Sequence, residues 1–265
     1  MVGKSWRQCA ATVVTISGIA VTGCGSPNNQ PSPETSATST VNPSRYQPPP
    51  QVLHNTVVWS AEPGLDLFSE QVIVARAAQE ARIVATTAGI DHSYPGFAEA
   101  LAPSSAKEYP HDTDRDRNAF GTAYLRIMAI EPIETGFIAE TCYQYSNVAV
   151  QIKEGGYKQD INPGGSSFMK FEKVGPESSH PSAAPPDRST QTDPTWSAPT
   201  ANMFTGWHID LQASTFDQDL QLRQRCEPWG RSLIPDLPQV KKDLGGTVTI
   251  VVNNPPPTLP AYPGW

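Results

Sequence analysis

Small apolar residues recur at helical spacing over Ser69–Ala88 and form one stripe on a helix. Ser69 suits the N-cap position and Gly89 the position just after the helix. The pattern therefore predicts a helix over Ser69–Ala88, and a second, shorter one over Gly96–Ala102. Three polar residues of the first helix are assigned to the side facing water: Arg76, Gln79 and Arg82.

From Gly121 onward the period changes to two, and aromatic and β-branched residues become frequent, as is typical of strands. Six strands are predicted: Tyr124–Ile130, Phe137–Tyr145, Val148–Lys153, Ser167–Val174, Phe204–Ala213 and Thr247–Val252. A turn at Glu134–Gly136 joins the first two into a hairpin. Helices followed by antiparallel strands predict an α+β fold, in which N-terminal helices pack on one face of a curved antiparallel sheet.

Three segments lack this periodicity and are rich in proline. Residues 24–51 are predicted to be a disordered tether, because they have too little apolar surface to offset the entropy of ordering. Gly175–Asn202 is predicted to be a mobile loop inserted into a single domain at residues 52–252. The tail Asn253–Trp265 contains a P-x-x-P motif, which suits an aromatic-lined groove of a partner. A tail that packs on its own domain or frays is the simpler alternative.

The first 23 residues have the order of a secretory signal peptide. Lys4 and Arg7 make the start basic, a short apolar stretch follows, and Val21–Gly23 precede Cys24. A cysteine directly after Val-Thr-Gly resembles the lipobox of bacterial lipoproteins, whose thiol receives a diacylglyceryl group. The resemblance implies an exported protein, anchored in membrane lipid through acylated Cys24 at the outer face of the cytoplasmic membrane. An uncleaved anchor is the alternative, but the apolar stretch is shorter than the ~20 residues that span a bilayer.

The net charge is −7, and removal of the basic leader makes the chain more acidic. This balance excludes nucleic acid as a charge-driven partner. Of the four cysteines, Cys9 leaves with the leader and Cys24 carries the lipid, so Cys142 and Cys226 remain. Two remaining cysteines of an exported protein most simply form a disulfide, with two buried thiols or a metal pair as alternatives.

Two short motifs in the predicted strands resemble those of a known family. Phe137–Cys142 is similar to the A-x-V-x-x-C strand of actinobacterial exported NTF2-like proteins. Gly206–Asp210 is similar to the Gly-Trp strand that follows in that family, with Cys226 shortly after it. The resemblance covers roughly Glu70–Cys226 and implies a cone-like sheet wrapped by helices and stapled by a Cys142–Cys226 disulfide. NTF2-like folds include both enzymes and binding modules, so the fold alone assigns no function.

Two His/Asp pairs have residue types suited to acid–base chemistry, because histidine titrates near neutrality. His208 and Asp210 share one face of a strand, and Asp91 and His92 follow the long helix. These four residues are the candidates for lining a cavity. The simpler interpretation places the apolar neighbours of His208 in the core and the polar pair in solvent.

Residues 111–116 contain D-x-D-x-D, as at the start of a calcium-binding loop. Arg117 and Ala123 stand where such a loop needs glycine and glutamate, so a solvated loop and no metal site are predicted. The sequence contains no nucleophile-elbow motif and no phosphate-binding loop, and no cofactor is predicted.

These observations lead to a hypothesis of a lipid-anchored, non-catalytic envelope protein. Its domain would bind an envelope protein or a small apolar ligand. One alternative is an enzyme that uses a His/Asp pair in an NTF2-like cavity. Another is a structural surface protein whose proline-rich segments contact the cell wall.

Overall fold

The computed structural model of the chain describes residues 46–113, 116–175, 193–234 and 246–265. The strands in these ranges are β1 (His54–Ala61), β2 (Ala119–Ile133), β3 (Gly136–Gln144), β4 (Val148–Gln151), β5 (Tyr157–Ile161), β6 (Gly165–Lys173), β7 (Trp207–Asp210) and β8 (Val248–Val252). The α-helices are α1 (Glu70–Ala88), α2 (Phe97–Ala100), α3 (Pro103–Ala106) and α4 (Phe216–Ser232). Single turns of 3-10 helix lie at Pro50–Val52 and Ile90–His92. The first of them overlaps the predicted disordered tether 24–51, so that prediction was wrong for residues 46–51, where Gln51 is buried and the Tyr46 hydroxyl donates to the carbonyl oxygen of His92.

The strands form one curved, mostly antiparallel sheet in the order β7-β6-β3-β2-β4-β5-β8, and β1 pairs with β2 in the parallel sense. The long strand β2 pairs with β3 along Tyr124–Ile133 and with β4 along Ala119–Gly121. Ile133 pairs with Gly136, so the predicted hairpin is confirmed. A curved sheet combined with a few helices is the predicted α+β class.

Helix α1 packs on one face of the sheet, where small buried alanines allow close approach. Its bounds confirm the helix predicted over Ser69–Ala88. It ends at Gly89, whose φ is 103° and where a Cβ atom would come within 2.3 Å of the carbonyl oxygen of His111. Only glycine accommodates both the conformation and the close contact.

The side of α1 that was predicted to face water is buried at two of its three positions. Arg76 and Gln79 are 2% and 1% exposed, and Arg82 is half-buried. The Arg76 guanidinium donates to the carbonyl oxygens of Leu67 and Pro263 at 3.1 and 3.0 Å. The prediction was wrong because the C-terminal tail, remote in sequence, closes over this part of the helix.

A smaller core lies on the opposite face of the sheet, beneath α4. Met128, Phe168 and Leu222 pack there around Cys142 and Cys226. These cysteines form the predicted disulfide, with Cα atoms 5.4 Å apart and a sequence separation of 84. The bridge ties β3 to α4, and a loop of this length contributes about 4 kcal/mol in the chain-entropy model.

Periodicity did not predict β1, β5 or α4. Helix α4 is rich in polar residues and contains Pro228, and its buried face consists of Leu222, Cys226 and Gly230, too few apolar side chains to mark a helix by pattern. Its start nevertheless carries a local signal. Thr215 Oγ1 accepts from the backbone N–H of Gln218, and Gln218 Oε1 accepts from the backbone N–H of Thr215. This reciprocal arrangement is a capping box, which T-x-x-Q in the sequence permits.

Two predicted elements are shorter than expected. The strand predicted over Phe204–Ala213 comprises only Trp207–Asp210, the part that pairs with β6. The helix predicted over Gly96–Ala102 comprises only Phe97–Ala100, and α3 follows directly. Tertiary pairing and the next proline, rather than side-chain pattern, decide where these elements stop.

The C-terminal tail packs along β1, as the alternative of a tail packed on its own domain predicted. The Tyr262 backbone N–H donates to the Val57 carbonyl oxygen at 2.9 Å, and the Trp59 N–H donates to that of Tyr262 at 2.6 Å. Thr258 Oγ1 donates to the carbonyl oxygen of His54 at 3.0 Å. The tail therefore covers backbone groups at the edge of β1 that would otherwise be unpaired.

Part of the predicted inserted loop is also packed. Residues 176–192 lie outside the described ranges, whereas 193–202 are described. Trp196 is 5% exposed, and its backbone N–H donates to the carbonyl oxygen of Leu53 at 3.1 Å. This second part therefore belongs to the folded domain and not to a mobile loop. A single tryptophan in a proline-rich stretch has no periodicity that would reveal its burial.

Candidate functional site

A cavity of about 520 Å³ lies between α1 and the concave face of the sheet. Apolar side chains from α1 and from strands β2 and β4 form much of its wall, among them Ile83, Ala119, Val148 and Val150. This volume is in the range of small-molecule sites, and such sites combine apolar walls with a few polar groups.

Two tyrosines form one wall of the cavity. The rings of Tyr143 and Tyr145 are stacked, with centroids 4.9 Å apart and planes inclined by 16°. They stand at the end of β3 and just after it, where the chain turns toward β4. Burial raises the pKa of Tyr145 far above its usual range, so its hydroxyl stays protonated at all physiological pH values. The wall therefore offers aromatic surface and the neutral hydroxyl of Tyr145 to a ligand.

Two cavity-lining residues carry buried amide oxygens without a hydrogen-bond partner in the described part of the chain. They are Gln79 Oε1 on α1 and Asn55 Oδ1 on β1. The other amide atom of Gln79, Nε2, donates to the Tyr145 hydroxyl at 3.3 Å. An unpaired buried acceptor costs about 1–3 kcal/mol, so native structures contain few of them. A ligand that brings N–H or O–H groups would remove this cost once the amides turn toward it.

Three basic residues line the same cavity, against one acidic residue. Arg82 on α1 is half-buried, and its Nη1 donates to Ser167 Oγ at 2.7 Å. Arg117 is exposed just before β2, and Lys158 on β5 lies 4.0 Å from Asp160. In a chain with a net charge of −7, this local excess of positive charge favours an anion.

Glu80, the residue after Gln79, accepts hydrogen bonds at both of its carboxylate oxygens. Its Oε1 accepts from Trp59 Nε1 at 2.7 Å. Its Oε2 accepts from the Tyr94 hydroxyl at 2.8 Å and from Trp265 Nε1 at 2.5 Å. Burial raises the pKa of Glu80 above its usual range, although the three donors and a nearby arginine oppose that shift.

The Glu80 cluster ties four separate parts of the chain together. Trp196 Nε1 donates to the Tyr94 hydroxyl at 3.0 Å. The Arg76 guanidinium lies 4.8 Å from the centroid of the Trp265 ring, a cation–π distance. Strand β1, Tyr94 and the C-terminal tail therefore contact the Glu80 carboxylate of α1 directly, and residues 193–202 join them through the Tyr94 hydroxyl. Its acceptor atoms already have donors, so we assign the cluster to the architecture of the domain and not to a ligand.

The predicted candidates Asp91 and His92 lie at the surface and pair with residues other than each other. Asp91 Oδ1 is 3.1 Å from His111 Nδ1, and His92 Nε2 is 3.2 Å from Asp112 Oδ1. The two candidates border an open cavity of about 460 Å³ that is otherwise lined by Tyr46–Gln51. They do not line the cavity beneath α1.

The other two candidates, His208 and Asp210, lie on the face of β7 opposite the core. His208 Nδ1 is 3.8 Å from Glu172 Oε2. Asp210 Oδ1 accepts from Ser105 Oγ at 3.2 Å. His208 and Asp210 therefore each pair with a residue outside β7 and not with each other. Neither of them lines the cavity beneath α1. Their alternating neighbours in β7 are buried, as the simpler interpretation of this strand predicted.

Several predicted features cannot be placed. Cys24 lies outside the described residues, as do Asp114 and Arg115 of the acidic run. The described part of the chain contains no group of three or more His, Cys, Asp or Glu side chains able to hold a metal ion. Within the same ranges, no helix has the length and apolar character needed to cross a membrane.

Comparison with known proteins yields no family assignment. No family model matches the chain, and neither a curated protein nor a solved structure is significantly similar to it.

Sequence reasoning did not identify the residues of this cavity. Gln79 and Arg82 were assigned to a solvated helix face, and the tyrosines to an ordinary strand. One signal was available, because Gln79 and Arg82 are three positions apart and so share a helix face. Tyr143 and Tyr145 likewise share a face of an extended chain. No local rule, however, shows that these two faces meet.

Proposed function

We propose that this domain is a non-catalytic module that binds a small molecule in the cavity between α1 and the sheet. The proposal rests above all on the unpaired amide oxygens of Gln79 and Asn55 at that cavity. Well-packed domains rarely leave two such acceptors beside a space of ligand size. A ligand with an apolar body and hydrogen-bond donors matches both the wall and the unpaired oxygens.

The proposal also includes where the module works. The lipobox-like sequence ending at Cys24 supports an exported lipoprotein, and the proline-rich tether after it would hold the domain away from the membrane surface. A cavity that binds a small molecule near a membrane suits a carrier or sensor of envelope compounds. The NTF2-like resemblance is compatible with this proposal, since cone-shaped sheets of that family enclose cavities.

Binding can be tested with the uncharged fluorescent probe N-phenylnaphthylamine, which has an aromatic body and one N–H donor. We expect the purified full-length protein to bind the probe with a saturable rise in fluorescence. Val150→Trp would fill the cavity from β4 and abolish most of that signal. Val251→Trp on β8 is the matched control, because Val251 is 63% exposed and does not line the cavity. Equal binding by both variants would contradict the proposal.

Anchoring is tested separately. Cys24→Ala removes the acceptor of the lipid, so we expect the protein to leave the membrane fraction and appear in the medium. A Cys24→Ala protein that stays membrane-bound and uncleaved would contradict lipidation. Cys9→Ala in the leader is the matched control and is expected to leave anchoring unchanged.

A further inference from the structure

We infer that the ligand of this cavity is an anionic amphiphile, whose acid group binds at Arg82 and Arg117 and whose apolar body lies against Tyr143 and Tyr145. The inference rests on the proposed small-molecule function and adds the chemical class of the ligand. The charged residues around the cavity support this inference, and the proposed small-molecule function does not depend on them.

Arg82 is the half-buried cation of the cavity wall. It follows Gln79 by three positions on α1, so its side chain shares a helix face with the unpaired amide. It is half-buried at the cavity, and its five N–H groups have two neutral partners, Ser167 Oγ and the Tyr109 hydroxyl. Among the described residues, no carboxylate oxygen lies within 4 Å of its guanidinium. A cation withdrawn from water without a counter-charge favours an anionic ligand.

The other charges of the cavity have the same sign. Arg117 also lacks a carboxylate partner within the described residues, and it is exposed, so it adds attraction at the edge of the cavity. Lys158 is partly neutralised by Asp160 at 4.0 Å. The positive charge therefore concentrates at the two arginines, where a carboxylate, sulfonate or phosphate group can accept two parallel hydrogen bonds from a guanidinium.

The remaining polar atoms define the other end of the ligand. The amide oxygen of Gln79 can only accept a hydrogen bond, so the matching ligand atom carries an N–H or O–H group. The Tyr143 and Tyr145 rings and Val148 provide apolar surface for the part of the ligand between donor and acid. A fully polar anion such as inorganic phosphate would leave this surface unused.

Two probes that share one aromatic skeleton test the charge requirement. Anilinonaphthalenesulfonate has the rings and N–H of N-phenylnaphthylamine and adds one sulfonate. We expect the full-length protein to bind the sulfonated probe at least about tenfold more tightly, which is the scale of one charge-assisted hydrogen bond. Raising the salt concentration should weaken binding of the sulfonated probe, because salt screens its charge, and leave binding of the neutral probe unchanged.

Variants assign the effect to the arginines. Arg82→Gln should lower the affinity for the sulfonated probe about tenfold and change the affinity for the neutral probe by less than about twofold. Arg117→Gln should give a smaller loss of the same kind, and since Arg117 is exposed, it tests the inference even if Arg82→Gln fails to fold. Arg223→Gln on the exposed surface of α4 is the matched control and should change neither affinity.

The outcomes separate the inference from the proposal beneath it. Equal affinity for both probes, or a sulfonated probe insensitive to both arginine changes, would overturn the anionic class and leave a neutral-ligand cavity. If neither probe binds, or Val150→Trp does not block them, the small-molecule function itself fails, and the inference fails with it.

Discussion

Two neighbouring residues of α1, Gln79 and Glu80, differ in whether their buried side-chain oxygens have hydrogen-bond donors. Glu80 is buried with a donor on every side, from Trp59, Tyr94 and Trp265. Gln79 is equally buried and lines a cavity, yet its Oε1 has no partner in the described part of the chain. Both carboxylate oxygens of Glu80 therefore have donors, whereas the amide oxygen of Gln79 has none among the described residues.

The difference separates architecture from function within one helix. A carboxylate that is buried and fully paired holds remote segments in one arrangement. A neutral amide that is left unpaired beside an open space destabilises the fold and connects no segments of the chain. Such destabilisation is typical of ligand-binding sites.

The largest effect is expected for Glu80→Leu. It leaves the indole N–H groups of Trp59 and Trp265 without their acceptor, removes one of the two acceptors of the Tyr94 hydroxyl, and leaves Arg76 without its nearby counter-charge. We expect the free energy of unfolding, measured by urea denaturation, to fall by about 3–5 kcal/mol. A loss below about 1 kcal/mol would show that the cluster contributes little to stability.

Trp265→Ala comes next, because it removes one donor to Glu80 and the ring beneath the Arg76 guanidinium. We expect a loss of about 2 kcal/mol in the free energy of unfolding, from one hydrogen bond to a charged group and one cation–π contact. Leu259→Ala in the same tail is the control. Leu259 is exposed, so this truncation should change the free energy of unfolding little. Equal losses would mean that general packing of the tail matters and not the cluster.

A pH dependence follows from the raised pKa of Glu80. The folded state holds this proton more tightly than the unfolded state, so the stability it contributes is complete below the ordinary value of 4.5 and is lost as pH rises through the raised value. The stability of the wild type relative to Glu80→Gln should therefore increase as the solution is acidified from neutrality toward 4.5.

Urea denaturation at several pH values measures this difference, and Glu70→Gln at the exposed start of α1 controls for general acid effects. A stability difference that shrinks on acidification would mean that the three donors outweigh burial, holding the carboxylate ionised.

The smallest change in stability is expected for Gln79→Leu. It removes a long hydrogen bond to Tyr145 but also removes an unpaired buried oxygen. We expect the free energy of unfolding to change by less than about 1 kcal/mol. The same variant should bind N-phenylnaphthylamine more weakly, which circular dichroism and probe titration together would establish. A large loss of stability would place Gln79 with Glu80 in the architecture.

Sequence patterns predicted the repetitive elements best. The helix over Ser69–Ala88, the hairpin at Glu134–Gly136 and the Cys142–Cys226 pairing are all present. Each depends on local periodicity, on a turn or on the small number of available cysteines. Predictions failed where burial comes from afar, as for Arg76 beneath the tail and Trp196 in a proline-rich stretch.

By itself, the sequence determined the α+β class, the disulfide and the expectation of an exported lipoprotein, because these follow from periodicity, composition and short motifs. Only the tertiary structure decided which polar residues of α1 are buried and which of them are satisfied. The reason is physical. A polar side chain is paired or unpaired according to groups dozens of positions away, and Trp265 reaches Glu80 while no described residue reaches the Gln79 oxygen.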